Sequence, residues 1–177
     1  MPARKILFTL AFALTIGCGL DCVVAQSLYT IPDGIETRWA SFENPAGEKG
    51  KGAQTNGGRK GQAALPIKAG EQVTLAEVHG SSGTVRRIWA TINDRSPAML
   101  RGLKIEMFWD GATKAAVSAP FGDFFGLGLG QMAAFQSALF ASPEGKTFTC
   151  YIPMPFRTGH EDRVDESKWQ GSPVALL

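Results

Sequence analysis

The chain has 177 residues, 44% of them hydrophobic and 19% charged, with a formal net charge of +2. That length carries one domain with its own core and is tight for two. A charge balance so close to zero supplies no electrostatic argument for nucleic acid or for an anionic membrane surface.

Arg4 and Lys5 precede an apolar run, ILFTLAFALTIGCGL, over residues 6–20. The run is shorter than the roughly 20 residues of a membrane-spanning helix, and Val23-Val24-Ala25 closes it with the small residue that signal peptidase favours. Residues 1–25 therefore read as a signal peptide. The expectation is export to the periplasm or the exterior, with no membrane association after cleavage; a retained anchor is the alternative. Cys18 and Cys22 lack a leucine-led lipobox and leave with the leader. Cys150 then remains without an internal disulfide partner. Taking away Arg4, Lys5 and Asp21 reduces 18 basic and 16 acidic residues to 16 and 15.

Residues 40–61, ASFENPAGEKGKGAQTNGGRKG, are dense in glycine and lysine. Such a stretch is a phosphate cradle, a linker or a polar loop over a pocket. Gly52 and Gly57 have the spacing of a phosphate-binding loop, but Gly58 and Arg59 follow where Lys-Ser/Thr is required. The phosphate reading fails.

Beyond that loop the apolar period is two. Residues 72–78 form a weak strand candidate. Ile88, Ala90 and Ile92 alternate with Arg87, Trp89 and Thr91. In LKIEMFWD, Leu103, Ile105, Met107 and Trp109 fall on one face and Lys104, Glu106 and Asp110 on the other, with Asp110-Gly111 as a turn. In PFGDFFG, Asp123 stands among aromatics and glycines, where it must find hydrogen-bond donors or face a pocket. Gly128, Gly130 and Ala133 match a dinucleotide-binding pattern formally, but no βαβ unit surrounds them. Residues 131–140 carry a helical stripe through Met132, Phe135 and Leu139, or form a covered loop. Phe148, Cys150, Ile152 and Met154 alternate before Pro155, which makes Cys150 a small, inert core residue. Short strands with glycine and proline between them predict an all-β fold, an antiparallel jelly-roll-like β-sandwich over residues 26–159.

From His160 the composition changes. HEDRVDESKWQGSPVALL is charged and shows no clear strand rhythm, so residues 160–177 read either as a disordered tail or as an out-of-frame one. Back-translated and read one base later, the segment admits Met-Lys-Ile-Val-Leu-Thr-Asn-x-Ser-Gly-Lys, a strand running into a turn. The frameshift is the favoured expectation.

The two histidines, His79 and His160, cannot assemble a Ser-His-Asp or zinc set, and no metal or cofactor is expected. What remains is carboxylates, amides and aromatics, the side chains that bind sugar hydroxyls and cover sugar rings. Trp39, Glu43, Asn44, Glu48, Asp123 and its neighbour Phe124 are the candidate substrate-binding residues. Each has a plainer reading: Glu48 beside Lys49 and Lys51 as solvated loop, Trp39 or Trp89 as core.

The ordered series RWASFENPAGEKGKG, VRRIWATI, LKIEMFWDG, PFGDFFGLGLG and YIPMPFR resembles glycoside hydrolase family 172, formerly domain of unknown function 2961, over residues 35–159. The resemblance implies the first half of a tandem jelly-roll protein that forms homotrimers or larger rings. It also implies cleavage of furanose-containing glycans, with α-fructofuranosidase and α-arabinofuranosidase activities in the family. Its catalytic glutamates are expected beyond the PMPF strand, so no catalytic residue is assigned here and the chain alone is expected to be inactive. Glu43, Asn44 and Asp123 carry over as pocket residues only. The competing readings are a non-catalytic carbohydrate-binding or assembly module, and a small hydrolase using Glu43 or Glu48 with Asp123.

Overall fold

Segments in which apolar and polar residues alternate form antiparallel ladders, and apolar residues of the two larger sheets close on a common interior. The structure, a computed structural model, describes residues 30–58, 61, 64–165 and the backbone of 174–176. The expected signal peptide, residues 1–25, lies outside the described residues, as do residues 166–173. Residues 30–36 belong to a separate short unit with a turn in which Ile35 N donates to Pro32 O at 3.2 Å.

In the main unit the strands are β1 (Leu65–Ile67), β2 (Gln72–His79), β3 (Gly83–Val85), β4 (Ile88–Ala90), β5 (Lys104–Trp109) and β6 (Val117–Pro120). They continue as β7 (Phe135–Gln136), β8 (Phe140–Ser142), β9 (Phe148–Cys150), β10 (Met154–Phe156), β11 (Gly159–Asp165) and β12 (Val174–Leu176). Two short helices, α1 (Pro97–Gly102) and α2 (Phe121–Phe124), interrupt them. Among the described residues the strands form one four-stranded sheet in the order β2-β11-β5-β6, another in the order β4-β9-β8-β7, and the pairs β1-β12 and β3-β10. Every pairing is antiparallel.

The predicted all-β, antiparallel sandwich is what the chain forms. Ile105 and Met107 from one large sheet meet Ala90, Phe148 and Cys150 from the other in a single buried cluster. Phe121, Phe125 and Phe148 pack edge-on or tilted within it, with ring centres 4.9–5.5 Å apart. Each such side chain, fully removed from water, contributes roughly 1.5–3 kcal/mol.

Three local outcomes refine the sequence reading. The weak candidate at 72–78 becomes the longest strand, β2, because pairing with β11 along its length supplies what its composition does not. Residues 131–140 form loop and short strand rather than helix, since Phe135 and Phe140 are held by the β7–β8 ladder. Helix α1 starts where Ser96 accepts from Met99 N at 3.3 Å and Pro97 occupies the first turn. Both are ordinary helix-start signals.

Residues 160–165, expected outside the domain, are instead an interior strand of the first sheet, with β2 on one side and β5 on the other. The alternation was hidden because the inward residues, His160, Asp162 and Val164, include two polar ones. Asp110 locks this strand to the β5–β6 turn. One of its carboxylate oxygens accepts from the backbone N–H groups of Arg157, Thr158 and Gly159 at 2.8, 2.7 and 3.3 Å.

Candidate functional site

The loop of residues 37–58 is built around Asn44. Ser41 and Asn44 bond each other through their backbones at 3.2 and 2.9 Å, closing a tight turn. The Asn44 side chain then spans the next turn: its Nδ2 donates to Glu48 O and its Oδ1 accepts from Glu48 N, both at 3.0 Å. With 5% of its surface exposed, this amide has both functional ends committed to the loop's own backbone. Pro45 O accepts from Glu77 N at 3.0 Å, which fastens the turn to the edge strand β2. Phe42 packs on the core.

Glu43 ties a second layer to the first. Its Oε2 accepts from Thr55 Oγ1 at 2.8 Å and from Thr55 N at 3.2 Å. Gly61 comes so close to Oε1 that only a glycine leaves room for the carboxylate. The stretch is therefore a folded polar loop, neither a linker nor a cradle of open backbone amides. Trp39, 61% exposed, and the exposed side chain of Glu48 stand on its surface.

Asp123 lies on α2. Its two carboxylate oxygens sit 2.6 and 2.5 Å from Arg101 Nη1, which also donates to Gly128 O at 3.1 Å. The requirement that this acid find donors or face a pocket is met by Arg101, a partner twenty-two residues away on α1. Phe124, half-buried, stands edge-on to Phe125 and Phe140. Gly122 lets α2 pack closely, since a β-carbon there would be 2.9 Å from Leu100 Cβ.

The fold anchors these two sets of candidates at different corners. Glu77, Glu161 and Phe108 share one row across the large sheet, whereas Pro120, which leads into α2, pairs with Lys104, four residues further along β5. Strands β2 and β6 are the two edges, so the anchors are about 14 Å apart across the sheet and about 13 Å along it. Glu43 and Asp123 are not built onto a common point.

The sequence reading missed a polar cluster on the outer face of the same sheet. Lys104 Nζ lies 3.0 Å from both Glu106 and Asp165, and Glu106 also accepts from Ser118 Oγ at 3.1 Å. The hydrogen bond to Asp165, then that to Glu106, raises the Lys104 pKa against the opposing effect of burial. Arg163 pairs with Glu161, whose pKa it lowers, and stacks over Phe108 with its guanidinium 4.6 Å from the ring centre. The signal was the polar phase of LKIEMFWD, readable only once β11 is known to lie alongside. Among the described residues no three His, Cys, Asp or Glu side chains are placed to hold a metal ion. Cys150 is buried, and that burial pushes its thiol pKa up. No described helix is long and apolar enough to cross a membrane.

The chain is thus an antiparallel β-sandwich domain that carries a folded polar loop and an acid set among aromatics. The model of the GH172 domain-like family matches residues 59–165, more than half of the chain, and the chain belongs to that family. The relation is thus to a glycoside hydrolase family. The match includes Asp123, Phe124 and the whole of β11, while Trp39, Glu43, Asn44 and Glu48 precede it. No curated protein matches the chain.

Proposed function

We propose that this domain is the front portion of an exported glycoside hydrolase that cleaves furanose-containing glycans, of the α-fructofuranosidase or α-arabinofuranosidase type, working as a homotrimer or larger ring. The observation that carries the reading is the family match over residues 59–165. The role assigned to the domain is to form one wall of the sugar pocket. Exposed Trp39 offers a ring face, and the loop braced by Glu43 and Asn44 holds that ring on a fixed frame. Asp123 and Phe124 supply a polar and an apolar contact from α2.

Retaining hydrolysis needs two carboxyl groups about 5 Å apart, one free to attack and one to transfer a proton. Glu43 and Asp123 are anchored at separate corners of the sheet, and Asp123 is engaged by Arg101. The reacting acids are accordingly assigned to residues outside this domain, and the domain alone is assigned no turnover. The same engagement of Glu43 and Asp123 favours, as a second reading, a carbohydrate-binding or assembly module without catalysis.

The test uses p-nitrophenyl furanosides. Purified chain is expected to show binding without turnover, and Glu43→Ala or Asp123→Ala in a full-length member of the family should lower kcat/KM by orders of magnitude. Turnover by the chain itself, or unchanged kinetics in both variants, would refute the assignment.

A further inference from the structure

Strand β11 is an interior strand of its four-stranded sheet, and one of its faces lies on the core. Such a face selects an apolar residue at every second position. The inward residues of β11 are His160, Asp162 and Val164, at 3%, 4% and 0% exposure. Their partners on β5 are Trp109, Met107 and Ile105, and those of the first two on β2 are Val78 and Ala76. An imidazole and a carboxylate have thus been set among apolar neighbours.

Neither polar group is fully hydrogen-bonded there. His160 Nε2 lies 3.1 Å from Asp162 Oδ2, within ion-pair distance but without hydrogen-bond alignment, and both ring nitrogens of His160 and the Oδ1 of Asp162 have no hydrogen-bond partner. The imidazole is stacked between Trp109 and Phe156, with ring centres 4.5 and 5.6 Å away and planes within 18° of parallel. That slot between two aromatic rings accepts a slender apolar side chain. Buried polar groups left without hydrogen-bond partners destabilise a fold. The outer face is different: Glu161 with Arg163, and Asp165 with Lys104, are paired. Even so, Glu161 stands directly across from a second acid, Glu77.

The genetic code constrains what the neighbouring frame would place here. Read one base later, the triplet drawn from the codons of His160 and Glu161 is A-T/C-G, which is Met or Thr. The triplet from Asp162 and Arg163 is Ile or Thr whichever arginine codon is used. The triplet from Val164 and Asp165 is T-N-G: Leu, Ser, Trp or stop. No codon choice returns a charged residue at the first two inward positions.

We infer that the inward face of β11 is encoded one base out of register, and that the strand this fold accommodates at residues 160–165 is Met-Lys-Ile-Val-Leu-Thr, with Asn next in the shifted frame. The shifted frame puts its apolar residues at the three buried positions and a lysine opposite Glu77. This inference stands apart from the proposed activity.

The experiment replaces residues 160–166 of the full chain by that heptapeptide and compares thermal unfolding and soluble yield with the parent. Removing two polar groups that are not fully hydrogen-bonded should raise Tm by roughly 5–10 °C, or raise the soluble fraction several-fold where the parent shows no cooperative transition. A second variant changes only the outward residues, Glu161→Lys, Arg163→Val and Asp165→Thr, and should bring no such gain. An unchanged or lower Tm and yield for the heptapeptide variant, or an equal gain from the outward set, overturns the inference. So does a stop codon in the shifted frame across codons 160–170 of the gene.

Discussion

Gly61 leaves room for the carboxylate of Glu43: a β-carbon built on Gly61 would lie 1.8 Å from Glu43 Oε1 and 2.7 Å from Ala53 Cα. Its φ of +58° is also one that side-chain-bearing residues rarely adopt. Gly61→Ala should therefore destabilise the domain by roughly 2–4 kcal/mol, or release the loop from it. Limited proteolysis across residues 43–61 and thermal unfolding would show which. Adding Glu43→Ala should recover about 1 kcal/mol of the loss, and only part of it, because the Ala53 overlap stays.

Asn44→Ala removes a donor and an acceptor that close the turn onto Glu48. Because the side chain is buried, the expected loss is about 1–3 kcal/mol. Asn44→Asp should fall between wild type and Ala, since it still accepts from Glu48 N but has no donor for Glu48 O. Chemical denaturation of the three proteins checks the order.

Asp110 gives an acid-sensitive joint. Hydrogen bonds from the backbone of Thr158, then Arg157, then Gly159, hold its pKa below the ordinary 3.8. A depressed carboxylate pKa stabilises the fold above the unfolded value and loses that contribution as pH falls through the folded value. The Tm difference between wild type and Asp110→Asn should hold from neutrality to about pH 4 and shrink below it. A difference independent of pH down to 3 would contradict the assignment.

Cys150 is fully buried on β9. In native protein it should resist a thiol reagent such as dithionitrobenzoate, and it should react fully once the protein is unfolded. The labelling rate then reports on opening of the core.

Much of the sandwich was legible because strand alternation is a local property. The apolar phases of residues 88–92, 103–109 and 148–154 identified Ile92, Leu103, Ile105, Met107, Phe148 and Cys150, all now in the core. The same rule misread β11. His160 and Asp162 are polar residues that pairing with β2 and β5 carries inside, and no local signal reports a partner supplied from residues 72–79 and 104–109. The candidate site was legible as residue types and opaque as geometry: no local pattern shows that the Asn44 amide is bonded to Glu48 or that Asp123 is paired with Arg101.

By itself, then, the order of residues determined the fold class, the strands with clean alternation and the polar character of the 40–61 loop, because each depends on residues within a few positions of one another. Only the tertiary structure decided that Glu43 and Asp123 stand at separate corners, that Lys104 is shared by Glu106 and Asp165, and that residues 160–165 are an interior strand of a sheet. Those outcomes depend on which strands lie side by side. That choice is made by burying the apolar faces of distant segments together, and it leaves each polar group with whatever neighbours the pairing brings.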